Sequence, residues 1–184
     1  MKSLILPTAV SLLLATGLAA QTCREAVRDA SGRIVQTIER QKQAGGTERA
    51  VTRDASGKIT GTATTRPNAG GSAHTEYRDA SGRITGTAST RPTTGTSSHT
   101  TYRDASGRMT GSADTRTPSG NSGRTHYCDA SGRITGTTTT GGNPAGTVTG
   151  IHRDASGRVT GTSSGSGKCQ SPALVPLASA NAKR

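Results

Sequence analysis

Large apolar side chains are scarce in this sequence. It contains no Trp and no Phe, and only three Tyr among 184 residues. Between Arg24 and Lys168 we count fifteen large apolar residues: five Val, six Ile, one Met and three Tyr. At roughly 1.5–3 kcal/mol per fully buried side chain, a conventional thick core of this composition does not offset the entropy of ordering the segment. The region is therefore either disordered or stabilised by a regular hydrogen-bonded ladder.

A long apolar run is also absent. The stretch from Leu4 to Leu14 is shorter than the roughly 20 residues that a membrane-spanning helix needs. Lys2 precedes this stretch and small residues follow it at 17–20, which is the pattern of a secretory signal peptide with its cleavage site. We therefore expect residues 1–20 to be a signal peptide and the protein to be exported, to the periplasm, the cell surface or the medium.

Acidic residues are few. The chain has 23 Lys and Arg against 11 Asp and Glu, a formal net charge of +12. Such an excess favours anionic partners, among which we consider an anionic glycan, lipopolysaccharide and nucleic acid, and a protein partner is a further candidate. The alternative is that the charge only keeps a thin repeat protein in solution.

What the sequence does contain is an internal repeat, which is the first feature to establish in any chain. The tetrapeptide Asp-Ala-Ser-Gly recurs every 25 residues. A basic residue and then an aliphatic residue follow each copy, and Arg precedes every copy except the fifth, where Cys128 takes its place. The six copies begin at Asp29, Asp54, Asp79, Asp104, Asp129 and Asp154.

Each unit has the pattern of two strands joined by a tight turn. From Ala73 to Arg78 small or apolar side chains alternate with polar ones. Asp79 to Gly82 has turn chemistry, since Asp accepts a local N–H and Gly adopts the left-handed conformation. Alternation resumes from Arg83 to Thr90, and Pro and Gly at 91–95 give a second, looser turn.

The sequence thus predicts an all-β fold: an antiparallel repeat meander of six 25-residue two-strand units, about twelve strands in all. An open spiral sheet and a closed barrel both satisfy this pattern, and a β-solenoid or a largely disordered chain are the alternatives. We place a lead-in strand at 21–27, the six-repeat domain at 28–169 and a flexible tail at 170–184. Residues 35–42 depart from the repeat, as expected of a capping unit with a different outer face.

The repeat resembles that of the Rhs/YD-repeat family of secreted bacterial proteins. That pattern has an upstream Gly and then Tyr-x-Tyr-Asp-x-x-Gly-Arg followed by an aliphatic residue. Arg78 stands where the family has its second Tyr. The resemblance implies a spiral β-sheet at or outside the cell surface, and six units are too few to enclose a toxin. The matching residues of the third unit are Gly71, Tyr77, Asp79, Gly82, Arg83 and Ile84.

No residue pattern indicates catalysis. Six copies of a turn containing Asp and Ser do not form the single constellation that a nucleophile requires. The histidines, of which His74 and His99 share a repeat position, have few carboxylate neighbours in the sequence. We therefore expect no enzyme activity, no cofactor, no metal site and no small-molecule substrate.

The three cysteines bear on the architecture. Cys23 begins the first strand and Cys169 follows the last. In an open sheet of twelve strands these ends lie about 50 Å apart, whereas a disulfide needs Cα atoms within about 7 Å. A Cys23–Cys169 disulfide, which leaves Cys128 free, is therefore the prediction that goes with a closed barrel.

Two columns of basic residues flank the predicted turns and are the candidate binding residues. Spaced roughly 10 Å apart, they form a cationic strip suited to a polyanion. The alternative is that each Arg pairs with the neighbouring Asp and only solubilises the edge. The candidates are Arg33, Arg53, Lys58, Arg78, Arg83, Arg103, Arg108, Arg133, Arg153 and Arg158.

Two other functions fit parts of the pattern. Thr-x-Thr columns, such as Thr85/Thr87 and Thr135/Thr137, suit recognition of an ordered surface such as ice or crystalline glycan. The number and length of the strands suit an outer-membrane-associated β-barrel, although Thr, Ser and Arg would then face lipid.

Overall fold

The computed structural model describes residues 22–119, 122–143 and 145–166, and in these ranges the chain is almost entirely β-strand. No helix in these ranges is long and apolar enough to span a bilayer. The predicted signal peptide at 1–20 and tail at 170–184 lie outside the described residues. In chain order the strands are β1 (Thr22–Asp29), β2 (Ile34–Lys42), β3 (Glu48–Asp54), β4 (Ile59–Pro67), β5 (Ala73–Asp79), β6 (Ile84–Pro92), β7 (Ser97–Asp104), β8 (Met109–Ser119), β9 (Ser122–Asp129), β10 (Ile134–Gly142), β11 (Val148–Asp154) and β12 (Val159–Ser166).

The twelve strands form one closed antiparallel barrel in sequence order. Each strand pairs with its neighbours in the chain, and β12 pairs with β1 from Arg24↔Ser166 to Asp29↔Gly161. The predicted twelve-strand meander is confirmed, and of its two forms the chain adopts the closed barrel. β1 continues through Val27 to Asp29, so the predicted lead-in strand and the first unit share one strand.

Closure follows from a register that is the same at every junction between units. From the second unit on, a Gly lies two residues after the repeated aliphatic residue, and it is opposite the turn Asp of the next unit, as in Gly86↔Asp104. At the seam Gly161 lies opposite Asp29 in the same way. A Cβ on Gly86 would stand 2.4 Å from the carbonyl oxygen of Arg103. The repeated Gly therefore permits a close backbone approach in the later units, while the first unit keeps the same register with Gln36 opposite Asp54.

The barrel has two unlike ends. At one end, which we call the tight end, lie the six Asp-Ala-Ser-Gly turns. The opposite end, the loose end, carries the connections after β2, β4, β6, β8 and β10, together with the start of β1 and the end of β12. Short 3-10 turns, Ala44–Gly46 and Ala69–Gly71, occur in the first two of these connections.

A thin core lines the inside of the barrel. Tyr102 is buried between Ala88 and Ala113, and Tyr77 and Tyr127 pack against the same cluster. Each Tyr lies opposite a Gly of the following strand, as in Tyr102↔Gly111, so the ring covers backbone that has no side chain of its own. The predicted inward face of Ala, Thr and Tyr matches this arrangement, and burial raises the pKa of Tyr77 to about 12.

The first unit fills its part of the interior differently. Val27, Ile38 and Ala50 form a second apolar cluster. Arg40 points inward as well, where it lies 3.7 Å from Glu25 and 3.2 Å from Glu48. The sequence suggested a cap with a different outer face. In the closed barrel the first unit has neighbours on both sides, and of its distinctive residues Ile38 and Arg40 lie inside, whereas Val35, Glu39, Gln41 and Lys42 are exposed.

Candidate anion-binding ring at the tight end

Each tight turn is a hairpin loop with one left-handed Gly. In the third unit Gly82 N–H donates to the Asp79 carbonyl at 3.1 Å, and Asp79 N–H donates to the Arg83 carbonyl at 2.9 Å. Gly82 has φ 84°, a conformation that Gly adopts without a steric penalty. Both hydrogen bonds recur in all six turns at 2.9–3.1 Å. The six turns therefore present their side chains in equivalent positions.

The Asp carboxylate holds the turn together from within. Oδ1 of Asp79 accepts hydrogen bonds from the Ser81 hydroxyl at 2.6 Å, from Ser81 N–H at 2.9 Å and from Arg83 N–H at 3.0 Å. The pKa of all six turn carboxyls lies below its ordinary value, chiefly because the Ser hydroxyl donates to the charged form. The Asp and Ser residues thus have the turn-forming role that the sequence predicts.

The Arg before each Asp also stabilises the turn. Arg103 Nη1 donates to the carbonyl of Gly107 at 2.8 Å, and the same bond recurs in every unit that has this Arg. The alternative in which each Arg pairs with the neighbouring Asp does not describe this column, whose acceptor is a backbone carbonyl. We call these residues the locking arginines. They are Arg28, Arg53, Arg78, Arg103 and Arg153.

The basic residue after each turn Gly is arranged differently. Its backbone N–H donates to the turn Asp, but its side chain makes no hydrogen bond or salt bridge to any described residue, and all six are exposed. Each charge still acts on the nearby turn Asp and helps to lower its pKa, but the hydrogen-bond donors of these side chains remain available to an external anion. These six residues, the free cations, are Arg33, Lys58, Arg83, Arg108, Arg133 and Arg158.

Barrel closure changes the shape of the predicted cationic surface. The locking arginines and free cations together are eleven positive groups against six Asp carboxylates and Glu76, which pairs with Arg78 at 2.7 Å, an excess of four charges at one end of the barrel. Equivalent residues of neighbouring units are separated by two strands, or roughly 10 Å. The sequence predicted a strip with two ends, and the structure arranges the same residues as a ring.

Next to the free cations lies a feature that the sequence reasoning did not place on either face of the sheet. The repeated aliphatic residue lies on the outer wall, and in five of the six units it is opposite a locking arginine. A bulge explains this, because Tyr77 pairs with Gly86 but Arg78 pairs with Ile84, which leaves Thr85 unpaired and reverses the alternation. The exposed fractions are 37% for Ile34, 39% for Ile59, 38% for Ile84, 37% for Met109 and 49% for Ile134.

The outer wall near the loose end carries further cations that the sequence reasoning missed. Arg66 and Arg91 occupy the same repeat position and are exposed. Arg91 lies opposite His99, whose Nδ1 is 2.7 Å from Asp114. The 25-residue spacing of Arg66 and Arg91 is the sequence feature from which this second set of cations could have been predicted. Among the described residues no group of three or more His, Cys, Asp or Glu side chains is placed to hold a metal ion.

The cysteine predictions are tested only in part. Cys23 is buried at the start of β1. Cys128 is a free thiol, partly exposed in the position of a locking arginine. Cys169 lies outside the described residues, so the Cys23–Cys169 disulfide stays a prediction. Closure itself rests on the pairing of β1 with β12.

Comparison with known proteins does not assign this chain to a family. No protein-family model matches the chain, and no curated protein is significantly similar to it.

Proposed function

We propose that this protein is an exported, repeat-built binding module whose tight end contacts an anionic surface or polymer. The observation that carries the proposal is the ring of six free cations, which are exposed and whose side chains make no hydrogen bond or salt bridge to a described residue. A ring of like charges on a rigid frame concentrates positive potential where an extended anion reaches several groups at once. The likeness of the repeat to Rhs/YD proteins supports placement outside the cell.

The two basic columns have separate roles in this proposal. Each locking arginine donates one guanidinium N–H to the carbonyl of the turn Gly. Its loss would therefore destabilise the turn as well as remove a positive charge. The free cations have no such structural bond. Binding is therefore tested most cleanly at the free cations, with the locking arginines left intact.

The test uses dextran sulfate as a soluble polyanion and the double variant Arg83→Gln with Arg108→Gln. We expect wild-type affinity to fall steeply between 50 and 200 mM salt, and the variant to bind more weakly with a shallower salt dependence, by about one unit of log–log slope per lost cation. The matched control is Arg66→Gln with Arg91→Gln, which removes two exposed charges near the loose end. Salt-independent binding, or equal losses in both double variants, would contradict the proposal.

An outer-membrane-associated barrel is a second candidate, supported by the closed, even-numbered, antiparallel strand set. Such a barrel needs an outward apolar band about 25 Å tall. Here the outward residues of β5 are His74, Glu76 and Arg78, and the exposed aliphatic residues near the tight end form a single row. Purified protein that stays monomeric in buffer without detergent would argue against membrane insertion.

Recognition of ice or crystalline glycan by Thr columns is less well supported by the geometry. Thr87 lies opposite Arg103, and Thr137 lies opposite Arg153. Arg therefore separates the Thr residues of neighbouring units on a curved wall, where a flat and regular Thr array is needed. Thermal hysteresis of the purified protein is the direct test of this function.

A further inference from the structure

We propose that the anionic surface is a phospholipid bilayer, which the tight end contacts end-on through alternating cationic and aliphatic side chains. This inference rests on the proposed function and names its partner. The second half of the contact is the set of repeated aliphatic residues on the outer wall, which we call the aliphatic rim. Its members are Ile34, Ile59, Ile84, Met109, Ile134 and Val159.

The aliphatic rim is adjacent to the free cations in both sequence and space. Every rim residue directly follows a free cation, as Ile84 follows Arg83. Five of the six are 37–49% exposed, although the interior of this barrel has few large apolar side chains. A row of exposed aliphatic groups that encircles the molecule marks an interaction surface more strongly than a single exposed residue does.

The rim lies directly next to the turns. Ile84 pairs with Arg78 across its own hairpin, so only the turn residues 79–82 and the free cation Arg83 separate it from the tip of the tight end. Interfacial protein segments bury apolar groups about 5–10 Å into the boundary between headgroups and acyl chains. When the turns enter the headgroup layer, the aliphatic side chains enter with them.

Charge complementarity distinguishes the bilayer from other occupants. A second copy docked through the same end would bring together two surfaces that each have an excess of four positive charges. A soluble polyanion satisfies the cations but leaves the aliphatic rim in water. Only an anionic bilayer offers negative headgroups and an apolar boundary within one side-chain length of each other.

The frame favours such docking because it is already ordered. Three hydrogen bonds to each turn Asp, and the bond from the locking arginine to the turn Gly, fix the backbone that carries both sets of side chains. A preorganised surface loses less conformational entropy on binding than a mobile one.

The experiment measures cosedimentation with vesicles of phosphatidylglycerol and phosphatidylcholine at equal parts, and with pure phosphatidylcholine. We expect wild type to bind only the anionic vesicles. The variant Ile84→Ser with Met109→Ser removes two rim residues, and we expect its vesicle affinity to fall about tenfold or more. The matched control is Ile151→Ser, which removes an aliphatic residue of the outer wall that is 41% exposed and lies away from the rim.

A second readout separates this inference from the proposed function. The rim variant should bind dextran sulfate as wild type does, whereas Arg83→Gln with Arg108→Gln should weaken both dextran sulfate and vesicle binding, the latter about fivefold per charge. If the rim variant binds vesicles like wild type, the lipid proposal is wrong but polyanion binding survives. If neither vesicles nor dextran sulfate bind wild type, both proposals fail. Circular dichroism melts establish that each variant is folded.

Discussion

The tight end and the loose end of the barrel are built on different principles. At the tight end the same four-residue turn occurs six times, held by the same Asp bonds and, in five units, by a locking arginine. At the loose end the connections differ in sequence, with 3-10 turns such as Ala44–Gly46 in some of them. Repetition at one end and variation at the other indicate that the tight end carries the shared task of the six units.

The interior shows the same contrast on a smaller scale. Units three to five place Tyr over Gly in three equivalent layers of packing. The first unit reaches a closed interior with Val27, Ile38 and an Arg40 ion pair instead. Packing inside the barrel therefore tolerates several solutions, whereas the geometry of the tight turns does not vary.

Among the changes that test this contrast between the two ends, acidification is expected to lower the stability most, because it acts on all six tight turns at once. Each turn Asp has a folded-state pKa below its ordinary value of 3.8. Such a group contributes stability above its unfolded pKa and loses it as the pH falls through the folded pKa. We expect the melting temperature to hold from pH 7 to about pH 5 and to drop progressively below pH 4.

Thermal melts followed by circular dichroism between pH 7 and pH 2 measure this. The variant Asp104→Asn, which keeps the shape of the side chain but removes its charge, should be less stable at pH 7 and should lose less on acidification. A melting temperature that stays constant down to pH 2 would show that the carboxylates do not hold the tight end.

A smaller effect is expected from adding one methyl group beside a tight turn. Gly86→Ala would place Cβ 2.4 Å from the carbonyl oxygen of Arg103, and we expect a loss of about 1–3 kcal/mol in the free energy of unfolding. Gly141→Ala, near the loose end, is the matched control because nothing lies within 4 Å of its Cβ. Its effect should stay within about 0.5 kcal/mol. Urea unfolding of both variants measures the two losses. Equal losses in the free energy of unfolding would show that the two ends do not differ in their tolerance of a side chain.

The smallest change in stability is expected from a substitution that restores a missing hydrogen bond at the tight end. Cys128 occupies the position of a locking arginine in the fifth unit. In Cys128→Arg the guanidinium can donate to the carbonyl of Gly132, as Arg103 does to Gly107. We expect a gain of about 0.5–1 kcal/mol in urea unfolding. Cys128→Ser, which adds no long donor, is the control, and a gain shared by both variants would mean that the thiol itself was unfavourable.

Local features of this fold could be predicted from the sequence because they depend on neighbouring residues. Asp79 to Gly82 contains its own hydrogen-bond acceptor and its own left-handed residue, so the turn and the two flanking strands were correctly placed. The number of strands followed from the repeat. The separate roles of Arg78 and Arg83 did not, since they depend on which turn atoms each guanidinium can reach.

Features that depend on register could not be predicted in this way. The offset between units is the same at all six junctions of the closed barrel, and it is defined by pairing between strands, as in Gly86↔Asp104 and Gln36↔Asp54. The outward direction of Ile84 depends on the bulge at Thr85, because one unpaired residue reverses inside and outside. Closure and the outward direction of Ile84 both depend on how neighbouring strands pair, and the sequence of one strand does not define that pairing.

The constant offset has a consequence for how such a chain can grow. Each unit contributes two strands and the same axial displacement, so duplicating or deleting a unit leaves the ratio of shear to strand number, and hence the strand tilt, unchanged. The diameter, however, increases with strand number. Two separate clusters pack inside the twelve-strand barrel, one around Tyr102 and one around Val27 and Ile38, and a fourteen-strand barrel would place a wider interior around them. A change in copy number would therefore be felt in the interior packing, even though every junction would accept another hairpin.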